Sequence, residues 1–92
     1  MNRGRHRNFA NKVFQQLYYE YANTILHYCS VRLEKQGRTI YHCYWSDIDA
    51  EVALDRIKTK AYSDEVNYIH INCTVYRHDF FDRKTYTIKL KQ

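Results

Sequence analysis

The stretch that most restricts the fold is Asn67–Tyr76, NYIHINCTVY. Every second residue is apolar: Ile69, Ile71, Cys73 and Val75. The residues between them, Tyr68, His70, Asn72, Thr74 and Tyr76, all carry hydrogen-bonding groups. A two-residue period is that of a half-buried β-strand, one side in a core and the other in water. Thr85–Lys91, TYTIKLK, repeats the pattern, with Tyr86, Ile88 and Leu90 against Thr85, Thr87, Lys89 and Lys91. Strands over Val66–Tyr76 and Lys84–Lys91 form a hairpin if Cys73 faces Ile88. That register sets Val75 by Tyr86, Ile71 by Leu90, Asn72 by Lys89 and His70 by Lys91, so both faces match at once.

The rest of the chain supplies what such a hairpin needs. Phe9, Val13, Leu17 and Tyr21 recur every four residues, flanked by Phe14 and Tyr18, which predicts an amphipathic helix over residues 8–23 with Asn8 as its N-cap. ILHYCSVRL (25–33) alternates, EKQGR (34–38) turns at Gly37, and TIYHCYW (39–45) is rich in strand formers. These predict a second hairpin, with Leu33 facing Thr39, Val31 facing Tyr41 and Cys29 facing Cys43. A first helix continuing to Leu33 is the alternative. Ser46 is the expected cap of a second helix, with Ile48, Val52 and Ile57 on its apolar stripe, acids in its first turns and Arg56, Lys58 and Lys60 in its last. Trp45 is expected in the core.

The element order is α-β-β-α-β-β. The 92 residues make one domain, and no proline or Gly/Ser linker divides it. The expected fold class is α+β: two layers, a four-stranded antiparallel sheet with both helices on one face and the other face solvated.

Charge is unevenly placed. Of the net +5, Arg3, Arg5, Arg7 and Lys12 contribute +4 with no acid among them. Residues 1–7 are expected to form a flexible basic arm. Arg83, Lys84, Lys89 and Lys91 form a second acid-free segment at the other end. Such segments attract phosphate backbones. Tyrosine supplies 10 of the aromatic residues, against 4 phenylalanines and 1 tryptophan, and its polar tip and apolar ring suit binding surfaces. No run is apolar enough for a membrane span, and MNRGRHRNF is followed by no apolar segment of a secretory signal, so the expectation is a cytoplasmic protein without membrane contact.

Catalytic and metal chemistry find little support. Cys29, Cys43 and Cys73 lie far apart without a C-x-x-C, which predicts buried thiols. Adjacent His42 and Cys43 point to opposite sides of a strand, so they do not converge with His27 and Cys29 on a tetrahedral metal. His27 and Cys29, two apart on one strand, form a conceivable dyad, yet nothing nearby suggests an oxyanion hole. Gly4 and Gly37 are isolated, so no phosphate loop or small-molecule cofactor is expected. A metal-independent ribonuclease using His70, Tyr68, Tyr76, Lys89 and Arg77 is an alternative.

The better-supported expectation is binding. Tyr68, His70, Asn72 and Tyr76 beside Lys89 and Lys91 would stack bases and hold phosphates. The arm Arg3, Arg5 and Arg7 would add a second contact. In RHDFFDRK (77–84), Phe80 and Phe81 stand at the expected hairpin tip between Arg77, Arg83 and Lys84, where they would anchor a protein partner unless one folds back on the core.

In general character the chain resembles small phage-encoded anti-CRISPR proteins: one motif-free α+β domain near ninety residues, a tyrosine-rich surface and charge in patches. That resemblance implies a stoichiometric inhibitor docking on the protein subunits or RNA of a CRISPR complex. The basic balance argues against DNA mimicry. A DNA- or RNA-binding regulator is the plainer alternative.

Overall fold

The computed structural model describes the backbone of residues 2–90 and the side chains of residues 7–90. The elements are α1 (Asn2–Glu20), β1 (Ile25–Lys35), β2 (Arg38–Asp49), α2 (Ala50–Ser63), β3 (Tyr68–Arg77) and β4 (Phe80–Lys89). The strands form one antiparallel sheet in the order β2-β1-β3-β4, and the whole is an α+β fold. The first helix ends before residue 25, which settles the ambiguity in favour of the early hairpin. Strand β1 is central, paired to β2 on one side and to β3 on the other.

Both helices pack on one face, α2 against β1 and β2 and α1 against β4. The core between the layers contains Phe14, Leu17 and Tyr21 from α1, and Leu54 and Ile57 from α2. The sheet contributes Val31, Leu33, Ile69, Ile71, Cys73, Val75 and Ile88. Each fully buried large side chain contributes about 1.5–3 kcal/mol. Ala50, Ala53 and Ala61 are also buried, and their small side chains let α2 lie close to the sheet.

The buried stripe of α1 is Ala10, Phe14, Leu17 and Tyr21, and Phe9 is exposed. A strict spacing of four drifts about 40° per step around a 3.6-residue helix. Phe9 therefore cannot share a face with Leu17 and Tyr21. The helix also begins at Asn2, so Asn8 is an interior residue rather than a cap, and residues 2–7 are helical backbone rather than a loose arm.

Helix α2 begins three residues later than a cap at Ser46 predicts. Ser46 stays in β2 opposite Tyr28. Asp49 is the cap: its carboxylate accepts from the backbone N–H groups of Glu51 (2.9 Å) and Val52 (3.3 Å).

Both hairpins turn more tightly than expected. Gln36 and Gly37 (φ 52° and 77°) form one two-residue turn, His78 and Asp79 (φ 49° and 68°) the other. Positive φ at both central residues matches the strand twist. Leu33 therefore faces Tyr41, Val31 faces Cys43 and Cys29 faces Trp45, with a bulge at Leu33/Glu34. In the second hairpin Ile69 faces Ile88, His70 faces Thr87 and Asn72 faces Thr85. Away from the bulge both registers differ from expectation by an even number of residues, so Cys29, Val31, Leu33 and the residues of β3 and β4 keep their predicted faces while their neighbours change.

Candidate nucleic-acid interface

The face of the sheet away from the helices is uncovered. Its middle row runs Tyr44, Ser30, Asn72, Thr85 across the four strands, and the next row runs His42, Arg32, His70, Thr87. Exposed rings stand at one end. Tyr28 and Tyr44 stack with centroids 6.0 Å apart, and Phe81 lies 5.1 Å from Tyr76 and 4.8 Å from His27. Arg83 faces Thr74 at this end, exposed.

A polar network occupies the other end. His70 Nε2 is 3.1 Å from Glu34 Oε1, and His70 Nδ1 is 3.5 Å from the Thr87 hydroxyl. Arg32 reaches the same Glu34 oxygen at 3.6 Å and donates to the Thr39 hydroxyl at 3.2 Å. Tyr68 stacks beside His70 at 6.1 Å, and Lys89 stands opposite Tyr68. Arg32 and His70 are thus tied to Glu34, whereas Arg83 and Lys89 have no acidic partner among the described residues.

The expected site residues divide as follows. Tyr68, His70, Asn72, Tyr76, Phe81, Arg83 and Lys89 share the open face. Arg77 does not: its guanidinium lies 5.4 Å over the Tyr21 ring on the helix side. Phe80 faces Arg77 and Lys84 faces Cys73, so both belong to the helix side of the edge strand. Phe80 and Phe81 are strand residues on opposite faces rather than a paired anchor at a hairpin tip, although both remain exposed. Arg7 lies 4.8 Å over the Tyr62 ring in the helix layer, away from the open face. The side chains of Arg3 and Arg5, and all of Lys91, lie outside the described residues.

The ribonuclease constellation does not assemble as expected. Tyr76 is six residues along β3 from His70, about 20 Å at strand spacing, and Arg77 is on the other face. The His27–Cys29 dyad fails too. Alternation breaks after buried Leu26, where Asp47 of the partner strand takes φ 52°. His27 turns onto the open face, 3.5 Å from Asp47, while Cys29 stays in the core with its thiol pushed up by burial to about 12. Among the described residues no group of three or more His, Cys, Asp or Glu side chains is placed to hold a metal ion.

Several functional candidates were not assigned to this face from sequence: His27, Tyr28, Ser30 and Tyr44. The polar string Tyr28, Ser30, Arg32 and Glu34 signals Tyr28 and Ser30 once β1 is known to flank β3; Tyr44 follows as the β2 partner of Ser30, and His27 reaches the face only through the break in alternation.

The helix side carries its own tyrosines, in structural roles. The Tyr21 and Tyr86 hydroxyls are 2.6 Å apart, with the Cys73 sulfur 3.6 Å from the Tyr21 hydroxyl. Burial raises the affinity of Tyr21, Tyr86 and Cys73 for their protons. Tyr18 bonds Asp55, and Tyr62 bonds Asn11. A groove between β2 and α2 exposes Trp45, which is half-buried rather than core, and Tyr41. Arg56 and Lys60 of α2 already lie over these two rings, at 5.9 and 5.2 Å.

No described helix is long and apolar enough to cross a membrane. Comparison with protein-family models, curated proteins and solved structures finds no match to this chain.

Proposed function

We propose that the protein is a non-enzymatic binding domain that docks its open sheet face on single-stranded nucleic acid, free or within a nucleoprotein complex. The observation that carries this reading is the uncovered face that Tyr28, Tyr44, Tyr68, Tyr76 and Phe81 share with Arg83 and Lys89, cations without an acidic partner among the described residues. Aromatic rings on a sheet stack unpaired bases, and cations between them take the phosphates. A duplex presents no unstacked base to such a surface.

The general likeness to small anti-CRISPR proteins extends the proposal to its partner. A CRISPR effector complex carries RNA among protein subunits, and a chain of this kind would act on it as a stoichiometric inhibitor in the cytoplasm of a phage host. Protein subunits would then contribute contacts around the nucleic acid.

The test is fluorescence anisotropy of labelled single-stranded RNA and DNA between 50 and 300 mM salt. Each phosphate contact on a single strand contributes about −0.7 to the slope of log K against log salt. Replacing both Arg83 and Lys89 by alanine should flatten the slope by about 1.4. Absence of binding to any single strand, or an unchanged slope in the double variant, overturns the proposal. Capture of a host protein that survives nuclease treatment and these substitutions would place the partner contact on protein instead.

A further inference from the structure

Between β1, β3 and β4, at the aromatic end of the open face, lies a cup of roughly 660 Å³. That volume falls within the range of small-ligand sites, roughly 300–1,000 Å³. Its walls differ in chemistry. Tyr28, His27 and Phe81 supply rings on one side; Asn72, Thr85 and Arg83 supply polar and charged groups on the other.

Ser30 is the most buried of the side chains turned toward it, only 6% exposed because Tyr44 and Asn72 flank it across the strands. Among the described residues its hydroxyl has no hydrogen-bond partner. Buried hydroxyls are ordinarily paired, and an unpaired one is unfavourable. Nothing in the core needs a serine here: the position faces away from the helices, and an alanine would fill the same space.

Asn72 is half-committed in the same way. Its carbonyl oxygen accepts from the Thr85 hydroxyl at 2.8 Å, which leaves its amide N–H groups free to donate. Arg83 has no acidic partner among the described residues. Asp47 also stands at this rim, turned onto His27.

We infer that the cup receives one unstacked nucleobase together with its phosphate. The base stacks against Phe81 and His27, its polar edge meets the Ser30 hydroxyl and the Asn72 amide, and the phosphate meets Arg83. The inference rests on the single-strand reading and adds to it a defined, base-sized site at one end of the face. The His70–Glu34 end then carries flanking nucleotides without enclosing a base.

The experiment combines ultraviolet cross-linking of the full chain to an oligonucleotide of ten 5-bromouridines with binding titrations of variants. Cross-links should map by mass spectrometry to Tyr28, His27 or Phe81. Phe81→Ala should weaken binding about tenfold or more, since base–aromatic stacking on this scale is general. Ser30→Ala should weaken it roughly two- to tenfold, while its melting temperature stays unchanged or rises, because it removes an unpaired hydroxyl. Gln16→Ala, exposed on α1 and away from the open face, should alter affinity less than twofold. If wild type binds but Phe81→Ala and Ser30→Ala bind equally well, the cup is not the base site although the face still binds. If cross-links map to the Tyr68 end, the site is likewise misplaced. If wild type binds no oligonucleotide, both this inference and the single-strand reading fall.

Discussion

Tyr21 offers a quantitative check on how the helix layer is fastened to the sheet. Its ring is 4% exposed, edge-on to Tyr86, and its hydroxyl is 2.6 Å from the Tyr86 hydroxyl and 3.6 Å from Cys73 Sγ. Tyr21→Phe removes only the hydroxyl. Tyr86 keeps a second contact, with Glu20 at 3.4 Å, and is half-exposed, so it can turn to water. The loss should therefore be a single net hydrogen bond, about 1 kcal/mol, or about 4–8 °C in melting temperature for a domain of this size. Tyr21→Ala also opens a cavity and should lose about 3–5 kcal/mol.

The pH dependence is sharper still. The folded state holds the Tyr21 proton more tightly than the unfolded chain, whose tyrosines titrate near pH 10. This contribution is whole below pH 10. It falls by about 1.4 kcal/mol per pH unit above it, because the unfolded chain loses the proton first. Tyr21→Phe lacks that loss, so the stability gap between wild type and variant should close between pH 9 and pH 11. Urea unfolding followed by circular dichroism at pH 7, 9, 10 and 11 measures it. A gap that stays constant with pH, or a variant as damaged as Tyr21→Ala, would refute the reasoning.

Two further outcomes follow from the same structure. Asp49→Ala removes the cap that serves two N–H groups of α2 and should destabilise the protein by about 0.5–2 kcal/mol; chemical denaturation should show no comparable loss for Ser46→Ala, whose hydroxyl caps nothing. In native protein at pH 8, a thiol-specific reagent should modify half-buried Cys43 first. Cys29, with its thiol raised to about 12, and buried Cys73 should react only at the rate of unfolding, and simultaneous modification of all three would contradict the burial described.

Much of this architecture is legible in the chain because side-chain period survives errors of register. The faces of β3 and β4 follow from alternation alone, and an even-numbered slip left Ile69, Ile71, Cys73 and Val75 inside and Tyr68, His70 and Asn72 outside. What misled was local turn chemistry. His78-Asp79 contains no glycine, yet Asp79 adopts a left-handed conformation that aspartate tolerates. The strand therefore begins at Phe80 rather than Lys84, and Phe80 and Phe81 part to opposite faces. Ser46 and Asp49 have the same capping chemistry, and sequence does not say which one the last residues of β2 will use. The candidate site was half visible for a different reason. Its β3 and β4 residues lie in one hairpin, whereas Tyr28, Ser30 and Tyr44 join them only through the β1–β3 pairing, a contact between residues some forty positions apart that no local pattern encodes.

The central claim is that the open sheet face, and not the helix layer, meets a single-stranded nucleic acid. Titrating the isotope-labelled protein with an unstructured oligonucleotide and following backbone amide shifts by NMR tests it residue by residue. The account predicts the largest changes at Tyr28, Ser30, Asn72, Thr74, Arg83 and Lys89, with α2 unmoved. Shifts concentrated on α1 and α2, or no shifts at millimolar oligonucleotide, would contradict it.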